Sequence, residues 1–536
     1  MRSTLVSGLR RRVPRWLPAA LVIGVALTAC SDDKIVYRDR ALFNQPADSV
    51  SGFLGYYDTT TKQTTCGNCH ADFQGNWRTS KHANAYAAVA ASSSAQEFCY
   101  SCHSVTGNGN KATGTVAGHD AVPHATYNDV QCESCHGPGL EHVSSVGQGQ
   151  VIRPLAKLTM TGPGTCGDCH SGTHQPFAEE WAQSGHANVS ASRASNISSG
   201  CATCHDGRKA LEAWGVDENY VERNDPTAYQ ATTCAVCHNP HGSPNSAQLR
   251  FSISSQDPTQ NLCMQCHFRR FEPTVTFSSP HAPQGAVLLG LAGYRPPGFV
   301  YDTARIYGSH ATSRNPRLCA GCHVGRFTVT DAATGAFTFQ ATGHLMRPVP
   351  CLDAEGKPTP DKTCAYTTAA RSWRTCAASG CHGTGATDGI DLAGQQVAAN
   401  LFATVRARMK FLTDQLWVDT DGSRSMQAAP TDAGLLPTLR AANPTQWSNS
   451  DNTITAAEGA EFNARLCGEY GQSNSDNSKG VHNPFLCEAL LIATIEYVRD
   501  FYGLPAPPPE VQQQLRTPFG RSIPGSMHVS RTTLGQ

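Results

Sequence analysis

The sequence predicts a mainly irregular fold with short α-helices, an α-helical C-terminal part and little β-structure. Apolar residues make up 39% of the 536-residue chain, which also contains 48 glycines and 32 prolines. A chain with so few apolar residues and so many turn formers is poorly suited to building a large aliphatic core. Clusters of cysteine and histidine recur over the first 382 residues, and apolar residues at helical spacing follow after residue 390. We therefore expect something other than aliphatic side chains to fill much of the apolar interior of the protein.

The recurring cluster is Cys-x-x-Cys-His, which starts at residues 66, 99, 132, 166, 201, 234, 263 and 319. The first seven copies start 33, 33, 34, 35, 33 and 29 residues apart, and the eighth follows after 56; such regularity marks an array of similar units. Two thiols at this spacing can form thioethers with the two vinyl groups of one haem, and the next histidine then lies under the iron. A zinc site would need two clusters to supply four ligands. Eight copies therefore predict haem attachment.

A ninth cluster, CAASGCH, has four residues between Cys376 and Cys381 and ends in His382. This spacing still lets both sulfurs reach the vinyl groups, and the alternative is a small disulfide loop beside an ordinary histidine. We expect nine haems c, or eight if this cluster holds none, with loops and short helices wrapped around the stacked haems. The predicted thioether residues are Cys66, Cys69, Cys99, Cys102, Cys132, Cys135, Cys166, Cys169, Cys201, Cys204, Cys234, Cys237, Cys263, Cys266, Cys319, Cys322, Cys376 and Cys381. The predicted proximal iron ligands are His70, His103, His136, His170, His205, His238, His267, His323 and His382.

Cys30 closes a short apolar run, LPAALVIGVALTA, that follows five arginines. This run is shorter than the roughly 20 residues that a membrane-spanning helix needs, so residues 1–29 are predicted to be a cleaved export signal. The ending LTAC resembles the lipobox of bacterial lipoproteins, which implies a lipid on Cys30. The alternative is an ordinary signal peptide with a chance cysteine. We expect an exported protein that is lipid-anchored to the outer membrane, on its periplasmic face or at the cell surface.

The remaining cysteines, Cys351, Cys364, Cys467 and Cys487, fall into two neighbouring pairs. Disulfides suit an oxidising compartment, so both pairs are predicted as disulfides. Without residues 1–29 the chain carries a net charge of −5. Neither this charge nor any basic run indicates a nucleic-acid partner.

Of the 21 histidines, 12 lie outside the attachment clusters, and nine haems with two histidines each would need nine of them. His241 follows His238 too closely to bind the same iron from the opposite side. We therefore expect it to bind the iron of a neighbouring haem and so link two haems. The segment from residue 234 to 267 resembles the paired-CXXCH segment of multihaem cytochromes.

The chain also resembles nitrifier tetrahaem cytochromes over roughly residues 60 to 270. CGNCHADFQGNWRTSKHANAY matches their C-x-x-C-H followed by W-x-x-S-x-H-A, which EWAQSGHANV repeats, and VQCESCHGPGLEH matches their C-E-x-C-H-G-P-G-x-x-H. SSPHAP and YGSHAT are similar to the W-x-x-S-x-H-A phrase, and GVHNP resembles a phrase that supplies a ligand from C-terminal helices. These resemblances imply distal ligands at His82, His186, His142, His281, His310 and His482.

Three further distal candidates rest on their positions in the chain. His174, in CHSGTH, resembles the close-following arrangement of His241. His119 and His124 share one loop, so we expect a single ligand from it and assign His124. His344 precedes Met346, and either side chain can bind iron, of which we choose the histidine.

The C-terminal part is predicted to contain two long helices. The first carries an apolar face at Val397, Leu401, Val405, Met409, Leu412 and Leu416. The second starts with the cap Asn483 and Pro484 and ends at Gly503. The loop DTDGS at residue 419 resembles part of a calcium-binding loop, but it lacks the glutamate that ends such loops. Calcium binding is therefore an alternative to a loop without a ligand. The predicted organisation is an export signal (1–29), a linker (30–60), a multihaem region (61–385), a helical region (386–505) and a disordered tail (506–536).

Two functions fit this chemistry. If two histidines bind every iron, no coordination position is open, and the protein would conduct electrons between redox partners at the cell envelope or outer surface. The alternative is a multihaem oxidoreductase that acts on a small nitrogen or sulfur compound at one open haem. We favour the electron carrier, because none of the nine clusters has lysine in place of its histidine. Other redox proteins and a membrane, reached through the lipid anchor, are the expected partners, and a homo-oligomer or filament is left open.

Overall fold

The computed structural model describes residues 41–112, 116–188, 199–225, 229–276, 278–300, 310–384, 391–448, 452–470 and 475–517. The described residues from Gln45 onward belong to one compact unit. The predicted export signal, Cys30 and His528 lie outside the described residues.

Short helices separated by irregular segments make up the multihaem region, as predicted. Its α-helices are α1 (Ala71–Trp77), α2 (Ala85–Ala90), α3 (Tyr100–His103), α4 (Cys132–His136), α5 (Leu140–Ser145), α6 (Phe177–Ala182), α7 (Ser199–His205), α8 (Gly207–Ala213), α9 (Cys234–Cys237), α10 (Gln284–Leu288) and α11 (Cys319–His323). Single 3₁₀ turns cover Cys66–Asn68, Lys81–Asn84, Glu97–Cys99, Ala125–Tyr127, Cys166–Asp168, Ser246–Gln248 and Cys263–Gln265. The predicted fold class is confirmed.

The β-structure of the described residues consists of three small antiparallel hairpins. They pair β1 (Tyr56–Asp58) with β2 (Gln63–Thr64), β3 (Phe327–Thr330) with β4 (Phe337–Ala341), and β5 (Cys351–Leu352) with β6 (Pro358–Thr359). In the longest hairpin Phe327 faces Ala341 and Val329 faces Phe339. The last hairpin adjoins the bond between Cys351 and Cys364, whose Cα atoms are 6.1 Å apart.

The C-terminal region is helical and contains the largest apolar core of the described residues. Its helices are α12 (Leu392–Leu416), α13 (Leu435–Ala442), α14 (Ala456–Cys467), α15 (Pro484–Phe501) and α16 (Pro509–Arg516), with a 3₁₀ turn at Pro444–Trp447. A bond between Cys467 and Cys487 joins the end of α14 to the first turn of α15, with Cα atoms 5.4 Å apart. No helix in the described part of the chain is long and apolar enough to cross a membrane.

Side-chain caps fix where these helices begin. The Asn483 side chain accepts a hydrogen bond from the Leu486 N–H at the start of α15, and Pro484 occupies the first helical position, as predicted. Thr455 and Glu458 form a reciprocal capping box at the start of α14. Each cap satisfies N–H groups that the first turn of a helix leaves without an intrahelical partner.

The apolar face predicted for α12 is buried only over its second half. Val405, Met409, Leu412 and Leu416 enter the C-terminal core, whereas Val397 is 44% exposed. The first half of α12 instead buries its small residues Ala398 and Ala399 against Trp373. Two different neighbours along one helix therefore select two different faces.

Two predicted segment boundaries need correction. Residues 45–60 of the predicted linker are packed into the fold, where Phe53 is fully buried and the Leu54 N–H donates to Glu133. In the predicted disordered tail, residues 509–516 form α16, and Leu515 packs into the C-terminal core. Both segments are rich in polar or turn-forming residues, and a few buried apolar side chains dock them: Phe53, Leu54 and Tyr56 in the first and Leu515 in the second.

Candidate haem-binding sites

Each of the eight Cys-x-x-Cys-His clusters forms one tight turn of helix, whereas the ninth cluster folds into non-helical turns. In the first, fourth and seventh clusters the histidine N–H donates to the carbonyl oxygen of the first cysteine at 2.9 Å. This turn closes the five-residue motif on itself, so the two sulfurs and the imidazole project from one compact unit. The 18 predicted thioether cysteines form no disulfides in the structure. Every cluster thus keeps the donor set that covalent haem attachment requires.

Eight cluster histidines lie opposite a second histidine, with ring centres 6.1–6.4 Å apart. In every pair, the partner is one of the ten histidines predicted as distal ligands. The pairs are His70–His142, His82–His170, His136–His241, His186–His267, His205–His281, His238–His344, His310–His382 and His323–His482.

This spacing fits two imidazoles on opposite sides of one metal ion. A bond from a metal to an imidazole nitrogen is about 2 Å long, so two such bonds plus the two ring radii separate the ring centres by about 6 Å. Direct ring stacking would bring the centres closer together. The donor chemistry and the spacing therefore fit haem iron with two histidine ligands at these eight clusters.

The second cluster differs from the others. Among the described residues, no histidine ring lies opposite His103 at this spacing. The Nδ1 atom of His103 is 3.1 Å from the carbonyl oxygen of Ala85. His124 and His174, two of the predicted distal ligands, are exposed and are not brought opposite any cluster histidine in the described structure. The buried His119 instead contacts Tyr86 and Tyr100, with ring centres 5.7 Å and 5.8 Å from its own.

The ring nitrogens that point away from the metal position have partners of four kinds, one of which is the Thr342 hydroxyl, 3.2 Å from Nδ1 of His344. Carbonyl oxygens lie near Nδ1 of His136 (2.7 Å), His142 (2.6 Å), His238 (2.7 Å) and His323 (3.0 Å). Glutamine oxygens take this place for His170 and His267, at 3.1 Å and 3.2 Å. Carboxylates take it for His241 and His482, which face Glu218 and Asp476. Such contacts fix the ring orientation and leave Nε2 as the ligand atom.

Burial keeps several of these imidazoles neutral. It lowers the pKa of His82, His186, His323 and His344 to about 4, with a smaller contribution from neighbouring histidines. A neutral imidazole has a lone pair available for a metal, whereas the protonated ring has none. These four residues are therefore ready ligands at neutral pH.

Cysteines of different clusters lie close together. The sulfur atoms of Cys66 and Cys132 lie in contact, as do those of Cys102 and Cys169, which places the first cluster beside the third and the second beside the fourth. The same contact joins the fourth cluster to the sixth, the fifth to the seventh and the seventh to the eighth. The thiols of the third and fourth, the sixth and seventh, and the eighth and ninth clusters lie near enough to affect each other's pKa. All nine clusters therefore belong to one connected network.

The network repeats itself with a step of three clusters. Trp77 donates its indole N–H to the Val130 carbonyl at 2.9 Å, and Val130 donates its N–H to the carbonyl of His82. Trp181 and His186 make the same two contacts with Thr232. His82 pairs with the fourth cluster and His186 with the seventh.

The loop that carries His241 needs a glycine. Gly242 has φ 106°, and a side chain there would collide with the carbonyl oxygen of Asn76 at the end of α1. Phe73 of the same helix contacts the His241 ring, with ring centres 4.6 Å apart. Close contact with α1 therefore sets the position of this distal histidine.

Two buried glutamates that sequence reasoning missed hold the loops around the ligands. Glu133, inside the third cluster, accepts hydrogen bonds from the N–H groups of Leu54 (2.9 Å), Gly55 (2.6 Å) and Gly139 (2.7 Å). Burial raises the pKa of Glu133 to about 7, against the opposing effect of these donors. Glu180 accepts from the N–H groups of Thr342 (2.8 Å) and His344 (2.7 Å) and from the Thr342 hydroxyl (2.7 Å).

The predicted calcium loop brings acidic residues together. Oxygen atoms of Asp419 and Asp421, from DTDGS, lie within 4.8 Å of each other and of an oxygen of Asp432, which the sequence did not indicate. Asp432 is buried and already accepts a hydrogen bond from the Trp417 indole at 2.9 Å. Clusters of carboxylates are common without an ion, so these residues alone establish no calcium site.

Two family models match parts of the chain. Residues 227–270 match the doubled CXXCH motif, and residues 65–137 match cytochrome c554 and c-prime. These matches confirm the resemblance to paired-CXXCH cytochromes, and they confirm the resemblance to the nitrifier cytochromes over residues 65–137.

The chain is similar to curated multihaem proteins. It is 25% identical over 282 residues to the C-type polyheme cytochrome OmcB of Geobacter sulfurreducens, covering 48% of this chain and 35% of OmcB. It is 25% identical over 222 residues to the multiheme cytochrome MtrA of Shewanella baltica, covering 38% of this chain and 59% of MtrA. The match therefore spans about a third of OmcB and less than two thirds of MtrA.

Among solved structures, the outer cell wall cytochrome OcwA is similar, with a TM-score of 0.41 and 19% identity over 74% of this chain and 75% of that chain. The matched motifs and the polyhaem and multihaem relatives define the chain as a multihaem c-type cytochrome.

Proposed function

We propose that this protein is a nonahaem electron conduit of the cell envelope, in which two histidines bind the iron of eight haems. The observation that carries this proposal is the connected network of attachment clusters. It runs from the first cluster through the third, fourth, sixth, seventh and eighth to the ninth, and the second and fifth clusters join it from the side. When bound, each haem supplies an iron that takes up or releases one electron.

The chain contributes the arrangement. Its cysteines place neighbouring attachment points close together, and its histidine pairs would hold eight irons from both sides, so that these irons would have no open coordination position. The pairing of His310 with His382 supports a haem at the ninth cluster despite its longer spacing. Helices α12 to α15 support the far end of the array, because His482 immediately precedes the cap of α15.

The proposed location is the outer membrane, on its periplasmic face or at the cell surface, with a lipid on Cys30 as the anchor. Its partners are other redox proteins, and the net charge of −5 favours partners with a positive docking face. The relatives OmcB and MtrA, named as a polyheme and a multiheme cytochrome, support a role in electron transfer.

The test begins with the mass of the intact mature protein, which counts covalently bound haems. We expect nine, and we expect eight in a Cys376→Ala/Cys381→Ala variant. The oxidised protein is then mixed rapidly with a small amount of a reduced dye. A connected network reaches one equilibrium distribution of electrons in a single phase, whereas haem groups that fill separately and slowly would contradict the conduit.

A second candidate is an oxidoreductase that acts on a small nitrogen or sulfur compound at one haem. The observation that favours it is His103, which faces no second histidine among the described residues. Electron paramagnetic resonance of the air-oxidised protein distinguishes the two candidates. A high-spin signal from one haem that changes on adding nitrite or hydroxylamine supports the enzyme, and exclusively low-spin signals support a pure conduit.

A further inference from the structure

Asp476 differs from every other group that contacts the outer nitrogen of an axial histidine. Its Oδ1 is 2.6 Å from Nδ1 of His482, and its side chain is completely buried. Its Oδ2 accepts hydrogen bonds from the N–H of Ser478 at 3.3 Å and from the hydroxyl of Ser478. A full negative charge therefore sits beside one iron ligand in surroundings that screen it weakly.

The only other carboxylate in such a position among the described residues, Glu218, is less effective. Its Oε1 is 3.2 Å from Nδ1 of His241, and its side chain is 26% exposed. Its second oxygen is 3.6 Å from the guanidinium of Arg250, which compensates the charge. The carbonyl, glutamine and hydroxyl oxygens beside other described ligands, such as His136, His170 and His344, carry no net charge.

The charge on Asp476 acts on the equilibrium between the two oxidation states. Reduction adds one electron to the iron, and the proton on Nδ1 of His482 stays in its hydrogen bond. A carboxylate at the outer nitrogen makes the imidazole a stronger donor and favours the more positively charged, ferric state. The neutral oxygens at the other histidines favour that state less.

We infer that Asp476, acting through His482, lowers the reduction potential of the haem held by Cys319, Cys322 and His323. This inference rests on the proposed conduit and adds to it a difference in reduction potential between neighbouring haems. The eighth cluster contacts the seventh through Cys263 and the ninth through Cys376 and Cys381. An electron that moves between the seventh and ninth clusters therefore crosses an uphill step at the eighth.

The test is Asp476→Asn in the full-length, haem-loaded protein. Asparagine retains an oxygen that accepts from Nδ1 of His482 but removes the charge. Changes next to an iron ligand alter the relevant equilibria about 10–100-fold. We expect one component of a spectroelectrochemical titration to become at least tenfold easier to reduce, a shift of about 59 mV to more positive potential for one electron.

Two matched variants give the inference further tests. Ser478→Ala removes the hydroxyl that donates to Asp476, concentrates the charge on the oxygens and is expected to shift the same component to more negative potential. Glu218→Gln removes a charge that Arg250 already compensates, so its component is expected to move less than the Asp476→Asn component.

Three results would overturn the inference: no component moves in Asp476→Asn, Ser478→Ala shifts its component to more positive potential, or a high-spin signal replaces the low-spin one in Asp476→Asn. In the last case the carboxylate holds the ring in place rather than tuning the iron. Failure of the proposed conduit is detected separately, because slow and separate filling of haem groups would already occur in the unchanged protein.

Discussion

Glu180 provides a direct test of how the fold positions a distal ligand. Its buried carboxylate, on α6, accepts three hydrogen bonds from Thr342 and His344, and the His344 ring lies opposite His238 at 6.4 Å. A hydrogen bond to a charged group contributes about 1.5–3 kcal/mol. In Glu180→Gln the remaining side-chain oxygen still accepts hydrogen bonds. The new NH₂ group, which is a donor, faces a backbone N–H that is also a donor. We expect a loss of about 2–3 kcal/mol in the free energy of unfolding.

Glu180→Ala removes all three acceptor contacts and leaves two backbone N–H groups without a partner. We expect a loss of about 4–5 kcal/mol, which is exceptional for one substitution, together with a high-spin signal from the haem of the sixth cluster as His344 moves away. Both quantities are measured in the full-length protein, by urea unfolding and by electron paramagnetic resonance. The control is Glu179→Gln on the same helix, where the side chain is exposed and a change within about 0.5 kcal/mol is expected. A loss below about 1 kcal/mol for Glu180→Ala with an unchanged low-spin spectrum would refute the reasoning.

Four further predictions concern other parts of the fold. Glu133→Gln is expected to cost about 2–3 kcal/mol of unfolding free energy in urea titrations, because three backbone N–H groups converge on its carboxylate. Gly242→Ala is expected to displace His241 from its position opposite His136, which a new high-spin signal would reveal. Replacing Cys467 and Cys487 together by alanine is expected to lower the unfolding free energy by about 3 kcal/mol, the loop entropy for their separation of 20 residues. Asn463→Ala, which removes buried hydrogen bonds to Tyr294 and Thr494, is expected to cost about 2–4 kcal/mol, and an unchanged midpoint in thermal unfolding would contradict this.

Local sequence signals were enough to nominate the attachment clusters and the eight distal candidates that lie opposite a cluster histidine in the structure. Five consecutive residues contain both sulfurs and one ligand, and phrases such as W-x-x-S-x-H-A mark the second ligand within a few residues. The pairing itself could not be predicted. His82 pairs with the fourth cluster and His482 with the eighth, across intervals of 88 and 159 residues, and no local pattern records such contacts.

The supporting carboxylates illustrate the same limit. Glu180 and Asp476 stand in polar stretches where the sequence offers no reason to single them out, and their importance comes from loops that arrive from elsewhere in the chain. The predicted face of α12 was half wrong for a related reason, since Trp373 covers the first turns of that helix. Periodicity reports that a helix has an apolar face, but the neighbours decide which residues are covered.

The step of three clusters gives the array a modular construction. The contacts of Trp77 and His82 recur at Trp181 and His186, and cluster-to-cluster contacts shift by the same step. Each three-cluster module receives ligands from the module beside it, so one more module can be inserted without redesigning any ligand. Duplication of about 100 residues would lengthen the array while its two ends kept their own surfaces. In such a design, the length of the array and the partner specificity of its two ends can be altered independently.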